Sequence, residues 1–252
     1  MKRILFPEDN EYIKQAATEL TDIEPVLEVQ SLDKAFTQLA DGAVDGIVAG
    51  IDYSSRDVIL TARDKLGLAK PEVKLFTSLF YAEFPDGRKI ILSDGATCKH
   101  PNLEQMCRII ELVDEAATKL LDDEPRLAML SFSTFGSGGK DETMTLMNEA
   151  IAKTRELHPE IKIDGEMQLD AAVNPRIGAK KAPESEVAGK ANVLIVPDIN
   201  AGNILYKSFE QFAGAKVAGP ILLGFTKPVS DLSRGSTVED VVLTARCLAR
   251  LI

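Results

Sequence analysis

Histidine and cysteine are scarce in this chain, which limits the metal and disulfide chemistry that it can support. Only His100 and His158 offer imidazole groups, and the three cysteines, Cys98, Cys107 and Cys247, show no metal-ligand spacing. An odd number of cysteines without a pattern argues against a disulfide framework and against a zinc site. Cys98 and His100 share a turn, but no acid or base pattern marks them as a nucleophilic pair.

Long apolar runs and an excess of basic residues are missing as well. No run approaches the roughly 20 residues that span a bilayer, and the opening MKRILFPEDN turns acidic too early for a signal peptide. The net charge of −10 argues against non-specific nucleic-acid binding. It leaves room for a small polyanion, because a site needs only local positive charge. We expect a cytoplasmic protein that binds neither membranes nor nucleic acid.

What the chain does contain is an alternation of short apolar runs with amphipathic stretches, at 45% hydrophobic residues over a length of 252. That length suits one large or two small domains, and the alternation predicts an α/β fold with a largely parallel sheet. The predicted strands are Arg3–Phe6, Val26–Val29, Gly46–Ala49, Val73–Phe80, Lys89–Leu92, Leu127–Phe132, Ile161–Asp164, Asn192–Val196 and Pro220–Gly224. The predicted helices are Asn10–Leu20, Leu32–Asp41, Ser55–Leu66, Leu103–Leu121, Asp141–Leu157, Ala201–Phe212 and a C-terminal helix that starts near Thr237.

The segment before that last helix gathers several reactive residue types. Ser236 and Glu239 have the spacing of a capping box, so Ser233 and Arg234 fall in the loop just before a helix N-terminus, where free N–H groups favour an anion. Asp240 lies in the first turn of the helix, directed back toward the same loop. This pattern fits a site for a phosphorylated or acyl substrate. A well-capped surface helix with a solvated Arg234 explains it equally well.

Two further strand-to-helix turns are rich in small polar residues. The stretch SFSTFGSGGK from Ser131 is not a Walker A loop, because Thr134 stands where that motif needs glycine. In the stretch PDINAGN from Pro197, Asn200 is a good N-cap candidate and Gly202 leaves room for a ligand. Both stretches suit an anion site, and both are also explained as ordinary turns and caps.

Carboxylates and amides alternate along one short stretch at Asp164, Glu166, Gln168 and Asp170. The alternation predicts an extended piece with one polar and one buried face. Such a cluster could also hold a divalent cation.

Several longer motifs carry a resemblance to a known family. The segments IDGEMQLDAA from Ile163, KAPESEVAGKANVLIVPDINAGNILYK from Lys181 and DLSRGSTVED from Asp231 resemble the phosphate acetyltransferase/phosphate butyryltransferase family. The similarity is dense from about Leu127 onward. It is weaker in MKRILFPEDNEYIKQAA and DGAVDGIVAGIDYSSRDVI, and the chain between these two pieces is several dozen residues shorter than is usual in the family.

The resemblance implies an architecture of two α/β domains with largely parallel sheets and an interdomain cleft, like isocitrate and isopropylmalate dehydrogenases. Residues 1–122, completed by the C-terminal helix 230–252, would form the first domain. Residues 123–229 would form the second, with the acidic run Asp122–Pro125 as the linker. The family also implies a homodimer.

The implied reaction is reversible transfer of an acetyl or short acyl group between CoA and inorganic phosphate, without a bound cofactor or metal. CoA and acyl phosphate are then substrates, and small molecules are the only partners apart from a second copy of the chain. Position by position, Asp240 matches the family's proposed base, Ser233 would bond the thiol or the oxyanion, and Arg234 would stabilise the transition state. The residues implied in phosphate or CoA binding are Ser131, Ser133, Thr134, Gly138, Asn200, Gly202 and Arg56.

Arg56 enters this set because of a departure from the family pattern. Leu60 stands where the family has a substrate-binding arginine, and Arg56 lies one turn earlier on the same helix face. The turn from Ser93 to Pro101 is altered as well. An alternative is therefore a regulatory module that binds acyl-CoA or phosphate with impaired chemistry. A purely structural role is a third reading.

Overall fold

The computed structural model describes residues Met1 to Ile252, which form ten strands and nine helices. The strands are β1 (Arg3–Phe6), β2 (Glu24–Leu27), β3 (Gly46–Ala49), β4 (Thr77–Glu83), β5 (Lys89–Ser93), β6 (Leu127–Leu130), β7 (Ile163–Met167), β8 (Val193–Ile195), β9 (Lys216–Leu223) and β10 (Val229–Asp231). The helices are α1 (Glu11–Glu19), α2 (Leu32–Ala40), α3 (Ser55–Leu66), α4 (Leu103–Leu120), α5 (Glu142–Leu157), α6 (Leu169–Val173), α7 (Pro175–Lys181), α8 (Ile199–Ala213) and α9 (Val238–Leu251).

A single mixed sheet contains all ten strands, in the order β2-β1-β3-β10-β9-β4-β5-β8-β6-β7. The first four strands in this order are mutually parallel, and so are the last four. Strands β9 and β4 lie between the two groups and are antiparallel to each of their neighbours. The two parallel groups therefore run in opposite directions. The predicted α/β class with largely parallel strands is confirmed, and the parallel strands belong to one continuous sheet.

The antiparallel pairing of β9 and β10 brings the start of β9 and the loop after Asp231 to the same end of the sheet. Ser230 of β10 pairs with Ile221 of β9, so the first residues of β9, from Lys216, extend beyond the carboxyl end of β10. The loop that follows Asp231 therefore emerges beside the start of β9. This arrangement places the C-terminal motif next to a strand that the sequence gives no reason to associate with it.

The final helix, α9, packs against the part of the sheet that contains the first parallel group. It lies against α1, β3 and β9, and the Arg246 guanidinium bonds the Asp22 carboxylate and the Glu19 carbonyl oxygen, each at 3.2 Å. Its buried face consists of Val238, Val241, Val242, Thr244, Ala245, Cys247 and Leu248. The division into 1–122 with 230–252 and 123–229 stays a prediction, because the sheet passes through both parts.

Most elements match the sequence prediction, and the misses are short. Strand β10 was not predicted because its three residues, VSD, carry only one apolar side chain, although all three are buried between β3 and β9. Helices α6 and α7 were also missed. The expected extended piece through Asp170 is wrong in part, since β7 ends at Met167 and α6 begins at Leu169. Its expected polar face is buried at Asp164 and Glu166.

The structure answers two expectations about disulfide bonds and membrane helices. All three cysteines are free thiols, and Cys107 and Cys247 are buried core residues. None of the nine helices combines the length and the apolar character needed to cross a bilayer.

Gly202 allows α8 to approach the turn after β5. A Cβ atom at this position would lie 2.8 Å from Gly95 Cα and would collide with the carbonyl oxygen of Asp94. The space that the sequence suggested for a ligand at Gly202 is therefore filled by backbone. This glycine sets the distance between helix and turn.

We expect Gly202→Ala to destabilise the fold by about 1–3 kcal/mol, because the added methyl group overpacks a backbone contact. The loss should appear although alanine is the better helix former by roughly 1 kcal/mol. Urea unfolding of the variant and of the wild type measures it. Ile204→Ala, on the exposed side of the same helix at 67% exposure, is the matched control and should cost about 0.5 kcal/mol or less. A Gly202→Ala protein as stable as the wild type would contradict this account of the packing.

Candidate active site

The start of α9 is organised by Thr237 and Asp240. The Thr237 hydroxyl accepts from the Asp240 N–H at 3.2 Å, and Asp240 Oδ2 accepts from the Thr237 N–H and hydroxyl, each at 2.9 Å. The capping box is thus formed by Thr237 and Asp240. The predicted pair of Ser236 and Glu239 is wrong by one residue. Val238 decides this register, because it is buried as the first residue of the helix. The bonds direct Asp240 back over the preceding loop, as predicted.

The loop between β10 and α9 is a tight turn around Arg234. The Ser236 N–H donates to the Ser233 carbonyl at 2.9 Å, and the Gly235 N–H donates to the Ser233 hydroxyl at 3.3 Å. These bonds leave the Arg234 side chain exposed at the tip of the turn. A hydroxyl, a guanidinium and a carboxylate are thereby held within eight residues of one another on a short, hydrogen-bonded segment.

A cleft of about 420 Å³ opens beside this turn. Its floor includes Phe80 and Tyr206, whose rings stack with their centroids 4.0 Å apart. The walls come from the Ser233–Asp240 segment, from α8 and from the first half of β9. The lining residues are Phe80, Tyr206, Lys207, Glu210, Gln211, Ala215, Lys216, Val217, Gly219, Ser233, Gly235, Ser236, Thr237, Glu239 and Asp240.

Three charged residues in this cleft were not predicted. Lys207 lies with its Nζ atom 4.9 Å from the Tyr206 ring centroid, and Lys216 opens β9. Burial and the nearby Asp240 carboxylate raise the pKa of Glu210. Lys207 and Glu210 stand three residues apart on α8, so they share a helix face. That spacing is the signal from which the sequence could have indicated them.

The Ser/Gly loop between β6 and α5 is held by its own side chains. Ser133 is buried, and its hydroxyl donates to Glu166 Oε1 at 2.9 Å and accepts from the Gly138 N–H at 2.8 Å. Thr134 is buried as well and bonds Gln168 at 3.2 Å. A Cβ atom at Gly138 would lie 2.5 Å from the Phe132 ring. Three of the four predicted residues here therefore hold the loop in shape.

The backbone N–H groups of this loop already have partners. The N–H groups of residues 133 to 139 all donate within the loop or to Glu166. The N–H groups of residues 135 and 136 donate to the carbonyl oxygen and to Oε1 of Glu166. Those of residues 133, 134 and 138 donate to the hydroxyls of Ser131, Ser137 and Ser133, and those of residues 137 and 139 to the carbonyl oxygens of Thr134 and Gly136. In this structure these amides are therefore not free to receive an anion. An anion at this loop would instead meet side chains such as Ser131, which is half-buried, and Lys140, which is exposed.

Glu166 is the residue on which this loop depends. Its Oε1 accepts from the Ser133 hydroxyl and from the Gly136 N–H at 2.6 Å, and its Oε2 accepts from the Asn148 side chain at 2.7 Å. Burial opposes the ionised form, but these donors outweigh burial and lower the pKa of Glu166. The carboxylate is thus stabilised by the loop that it shapes.

Asp94 has the same role in the turn after β5. Its carboxylate accepts from the N–H groups of Ala96, Thr97 and Cys98 at 2.9–3.0 Å and from the Thr77 hydroxyl at 2.9 Å. Burial and the Asp94 charge raise the pKa of Cys98 to about 11. Its thiolate is therefore scarce at neutral pH, which disfavours Cys98 as a nucleophile.

The start of α8 lies two residues before the predicted one, at Ile199 instead of Ala201. Asp198 is the N-cap, and its side chain accepts from the N–H groups of Asn200 and Ala201 at 2.7 and 3.1 Å. Asn200 is therefore inside the first turn and exposed. The Asn203 side chain donates to the Gly95 carbonyl at 3.2 Å.

The ten predicted site residues do not all meet in one place. Ser233 and Asp240 line the 420 Å³ cleft, and Arg234 stands in the turn between them. Arg56 is exposed in the first turn of α3, and Leu60 is 38% exposed one turn further. The remaining six lie in the Ser/Gly loop and at the start of α8, outside the residues that line this cleft. No group of three or more His, Cys, Asp or Glu side chains is arranged to hold a metal ion.

Solved structures first define the class of the protein. A phosphotransacetylase from Streptococcus pyogenes superposes with a TM-score of 0.84 at 29% identity, covering 99% of this chain and 93% of its own. The EutD phosphotransacetylase from Staphylococcus aureus superposes with a TM-score of 0.81 at 28% identity, covering 100% and 94%. A 4-hydroxythreonine-4-phosphate dehydrogenase from Klebsiella pneumoniae shares the fold alone, at a TM-score of 0.57 and 14% identity. The fold is that of phosphotransacetylases and of dehydrogenases related to them in structure.

Sequence comparison then gives the family. The model described as phosphate acetyl/butaryl transferase matches residues 6–249. A phosphate acetyltransferase from Clostridium acetobutylicum is 42% identical over 81% of this chain, and one from Treponema pallidum is 39% identical over 86%. The chain belongs to the phosphate acetyl/butaryl transferase family, as its motifs predict. It spans 62% and 66% of the lengths of these two relatives.

We expect Glu166→Gln to destabilise the protein by about 1–3 kcal/mol at neutral pH, because an amide leaves buried donors of the Ser/Gly loop unpaired. The pKa of Glu166 is lowered in the folded state, so its contribution is present above the ordinary glutamate range and is lost as the pH falls through it. The difference from the wild type should therefore shrink toward pH ~4.

Urea unfolding at several pH values measures this difference. Glu184→Gln, which removes an exposed carboxylate, is the matched control and should leave stability nearly unchanged. A Glu166→Gln deficit of the same size at every pH would mean that the ionised form does not hold the loop.

Proposed function

We propose that this chain catalyses reversible transfer of an acetyl or other short acyl group between the thiol of CoA and inorganic phosphate. The family membership supports the reaction class. The observation that carries the proposal is the Ser233–Asp240 segment, which presents a hydroxyl, a guanidinium and a carboxylate beside a cleft lined by two lysines.

In the synthesis of acyl-CoA, the CoA sulfur attacks the carbonyl carbon of the acyl phosphate. The thiol proton passes to the Asp240 carboxylate, and the bond between the carbonyl carbon and the phosphate oxygen then breaks. No group of the protein is acylated. The chain supplies orientation, charge stabilisation and one base.

Proton transfer to an aspartate needs help from the surroundings. Proton transfer from a thiol with a pKa near 8.5 to an ordinary aspartate with a pKa near 3.9 is unfavourable by about 6 kcal/mol. Positive charge close to the sulfur reduces the mismatch, because it favours the thiolate. Lys207 and Lys216 in the cleft and Arg234 at its edge supply such charge in a chain whose net charge is −10.

The carbonyl oxygen and the departing phosphate gain negative charge as the reaction proceeds. The Ser233 hydroxyl is proposed to donate to the thiol or to the oxyanion, and one such donor is worth about 3–4 kcal/mol in a preorganised site. The Arg234 guanidinium is proposed to stabilise the transition state and to bind the phosphate oxygens. Its exposed position allows it to do so without first leaving another partner.

The other predicted residues are proposed to act at the edges of the substrate. The loop with Ser131, Ser133, Thr134 and Gly138 would hold the phosphate or CoA end through its exposed side chains, with its buried members fixing its shape. Asn200 at the start of α8 and Arg56 on α3 complete the proposed set. Gly202 is proposed to contribute indirectly, by setting the distance between α8 and the turn after β5. The proposal also includes a homodimer and no metal or bound cofactor, and size-exclusion chromatography with light scattering measures the assembly.

We expect purified protein to form acetyl-CoA from acetyl phosphate and CoA, and Arg234→Ala to abolish turnover because the leaving phosphate loses its cation. Following thiol consumption with acetyl phosphate and with butyryl phosphate measures both activity and acyl preference. Arg176→Ala, an exposed arginine of α7 outside the cleft, is the matched control and should keep full activity. No turnover with either substrate, together with measurable CoA binding, would instead support the regulatory alternative.

We expect Asp240→Asn to lower kcat by about 10²–10⁴, the usual contribution of a general base, with little change in the affinity for CoA. The amide oxygen can still accept from Thr237, so the start of α9 should stay folded. Steady-state kinetics and circular dichroism test the two statements. Glu239→Gln, the neighbouring carboxylate in the same cleft, is the control. Full activity of Asp240→Asn would exclude Asp240 as the base.

A further inference from the structure

Five carboxylates are buried in this protein, and four of them have clear partners. Glu8, Asp94 and Glu166 accept hydrogen bonds from backbone N–H groups, and Asp164 pairs with Arg155 at 2.8 Å. The fifth is Asp231, at the carboxyl end of β10 and two residues before Ser233. It is 2% exposed, and its Oδ1 atom has no hydrogen-bond partner. An unpaired buried polar atom requires an explanation.

The turn after β3 packs directly against Asp231. Glu8 holds this turn, since its Oε2 accepts from the Gly50 N–H at 2.9 Å and its Oε1 accepts from the N–H groups of Asp52 and Tyr53 at 2.7 and 2.8 Å. This places the Glu8 carboxylate on the same turn that Asp231 contacts. Two buried carboxylates thus approach each other across Gly50.

The contact between the two segments is close enough to require glycine. Gly50 has a φ of +116°, and a Cβ atom there would lie 2.8 Å from the Leu232 N and O atoms and would collide with Asp231 Oδ1. The Leu232 N–H also donates to the Ala49 carbonyl at 2.5 Å. The segment that leads to Ser233 and Arg234 is therefore positioned by its fit against the Gly50 turn.

The surroundings of Asp231 favour its neutral form. Burial and the Glu8 charge raise the pKa of Asp231 to about 7, although the nearby Ser55 hydroxyl opposes them. No cation pairs with Asp231 from the other elements packed here. Strand β3 ends at Ala49, and β9 pairs with β10 through the apolar Ile221 and Leu222. The buried face of α9 carries Thr244 and Cys247 beside apolar side chains, and Arg56 on α3 is exposed. Asp52 is exposed too, and its carboxylate faces the Asn10 side chain at 3.3 Å.

We propose that Asp231 is a positioning residue that works in its protonated form, holding the Ser233–Arg234 turn against the Gly50 turn. This inference rests on the proposed function of that turn. A proton on Asp231 lets its carboxyl group lie beside Glu8 without repulsion. Loss of the proton adds a buried negative charge near that of Glu8, and the repulsion opens the contact between Asp231 and the Gly50 turn, so the Ser233–Arg234 turn shifts.

The consequence is a pH dependence that Asp231→Asn removes. Above pH ~7 the protonated fraction of the wild type falls about tenfold per pH unit, while the amide stays neutral. We expect the ratio of kcat/KM between Asp231→Asn and the wild type to rise about tenfold from pH 6 to pH 8. Taking the ratio cancels the titration of the CoA thiol and of phosphate. Asp64→Asn, an exposed carboxylate on α3, is the matched control and should give a flat ratio.

A second readout works without turnover. Inorganic phosphate binding, measured by titration calorimetry at the same pH values, should weaken in the wild type relative to Asp231→Asn as the pH rises, because Arg234 shifts with the turn. The urea midpoint of Asp231→Asn should also exceed that of the wild type by more at pH 8 than at pH 5. A raised pKa makes the folded wild type bind more protons than the unfolded chain in this window, so its stability falls with pH.

The outcomes separate the two proposals. A wild type without turnover, but with a phosphate-affinity ratio that rises with pH, would refute the proposed reaction and support the role of Asp231. If kcat/KM and phosphate affinity of Asp231→Asn, each relative to the wild type, stay constant from pH 6 to pH 8, the role of Asp231 is refuted whether or not the protein is active. A variant that loses activity equally at every pH would refute it as well, since that is the result of a structural defect alone.

Discussion

Buried carboxylates that accept hydrogen bonds from backbone N–H groups hold three loops of this protein in place. Glu8 shapes the turn after β3, Asp94 the turn after β5 and Glu166 the loop after β6. A loop N–H that is removed from water must find an acceptor, and a carboxylate oxygen is a strong one because the bond is charge-assisted. Each of these acids follows or ends a strand, so the sheet itself fixes the position of the acceptor.

This way of satisfying loop amides changes how the protein can recognise anions. A glycine-rich turn usually binds phosphate through free N–H groups, but the N–H groups of residues 133 to 139 are already engaged within their own loop. At this loop, negative charge on a substrate therefore has to be met by side chains. Lys207, Lys216 and Arg234 are the cations at the cleft, and all three can adjust their side chains to the ligand.

The sequence predicted the fold class and the family well, because both depend on patterns that are local along the chain. Helix α3 and strands β1 and β3 were predicted with correct ends. The position of Ser233 and Asp240 beside the same cleft could be predicted because both lie on one segment. What could not be predicted depends on how the elements pair and pack. Lys216 reaches the cleft only because β9 runs antiparallel to β10, and Gly202 serves a helix contact that no local pattern reveals.

The position of β10 in the sheet has a consequence for the order in which the protein can assemble. This strand of three residues lies between β3 and β9 and comes after every other strand in the chain. Until the ribosome has made it, β3 lacks its neighbour on that side and presents unpaired N–H and C=O groups. The same late segment carries Ser233, Arg234 and Asp240, so a nascent chain gains a complete sheet and a complete cleft in one step. The strand that completes the sheet and the residues proposed for catalysis are thus neighbours in the chain, with the strand made first.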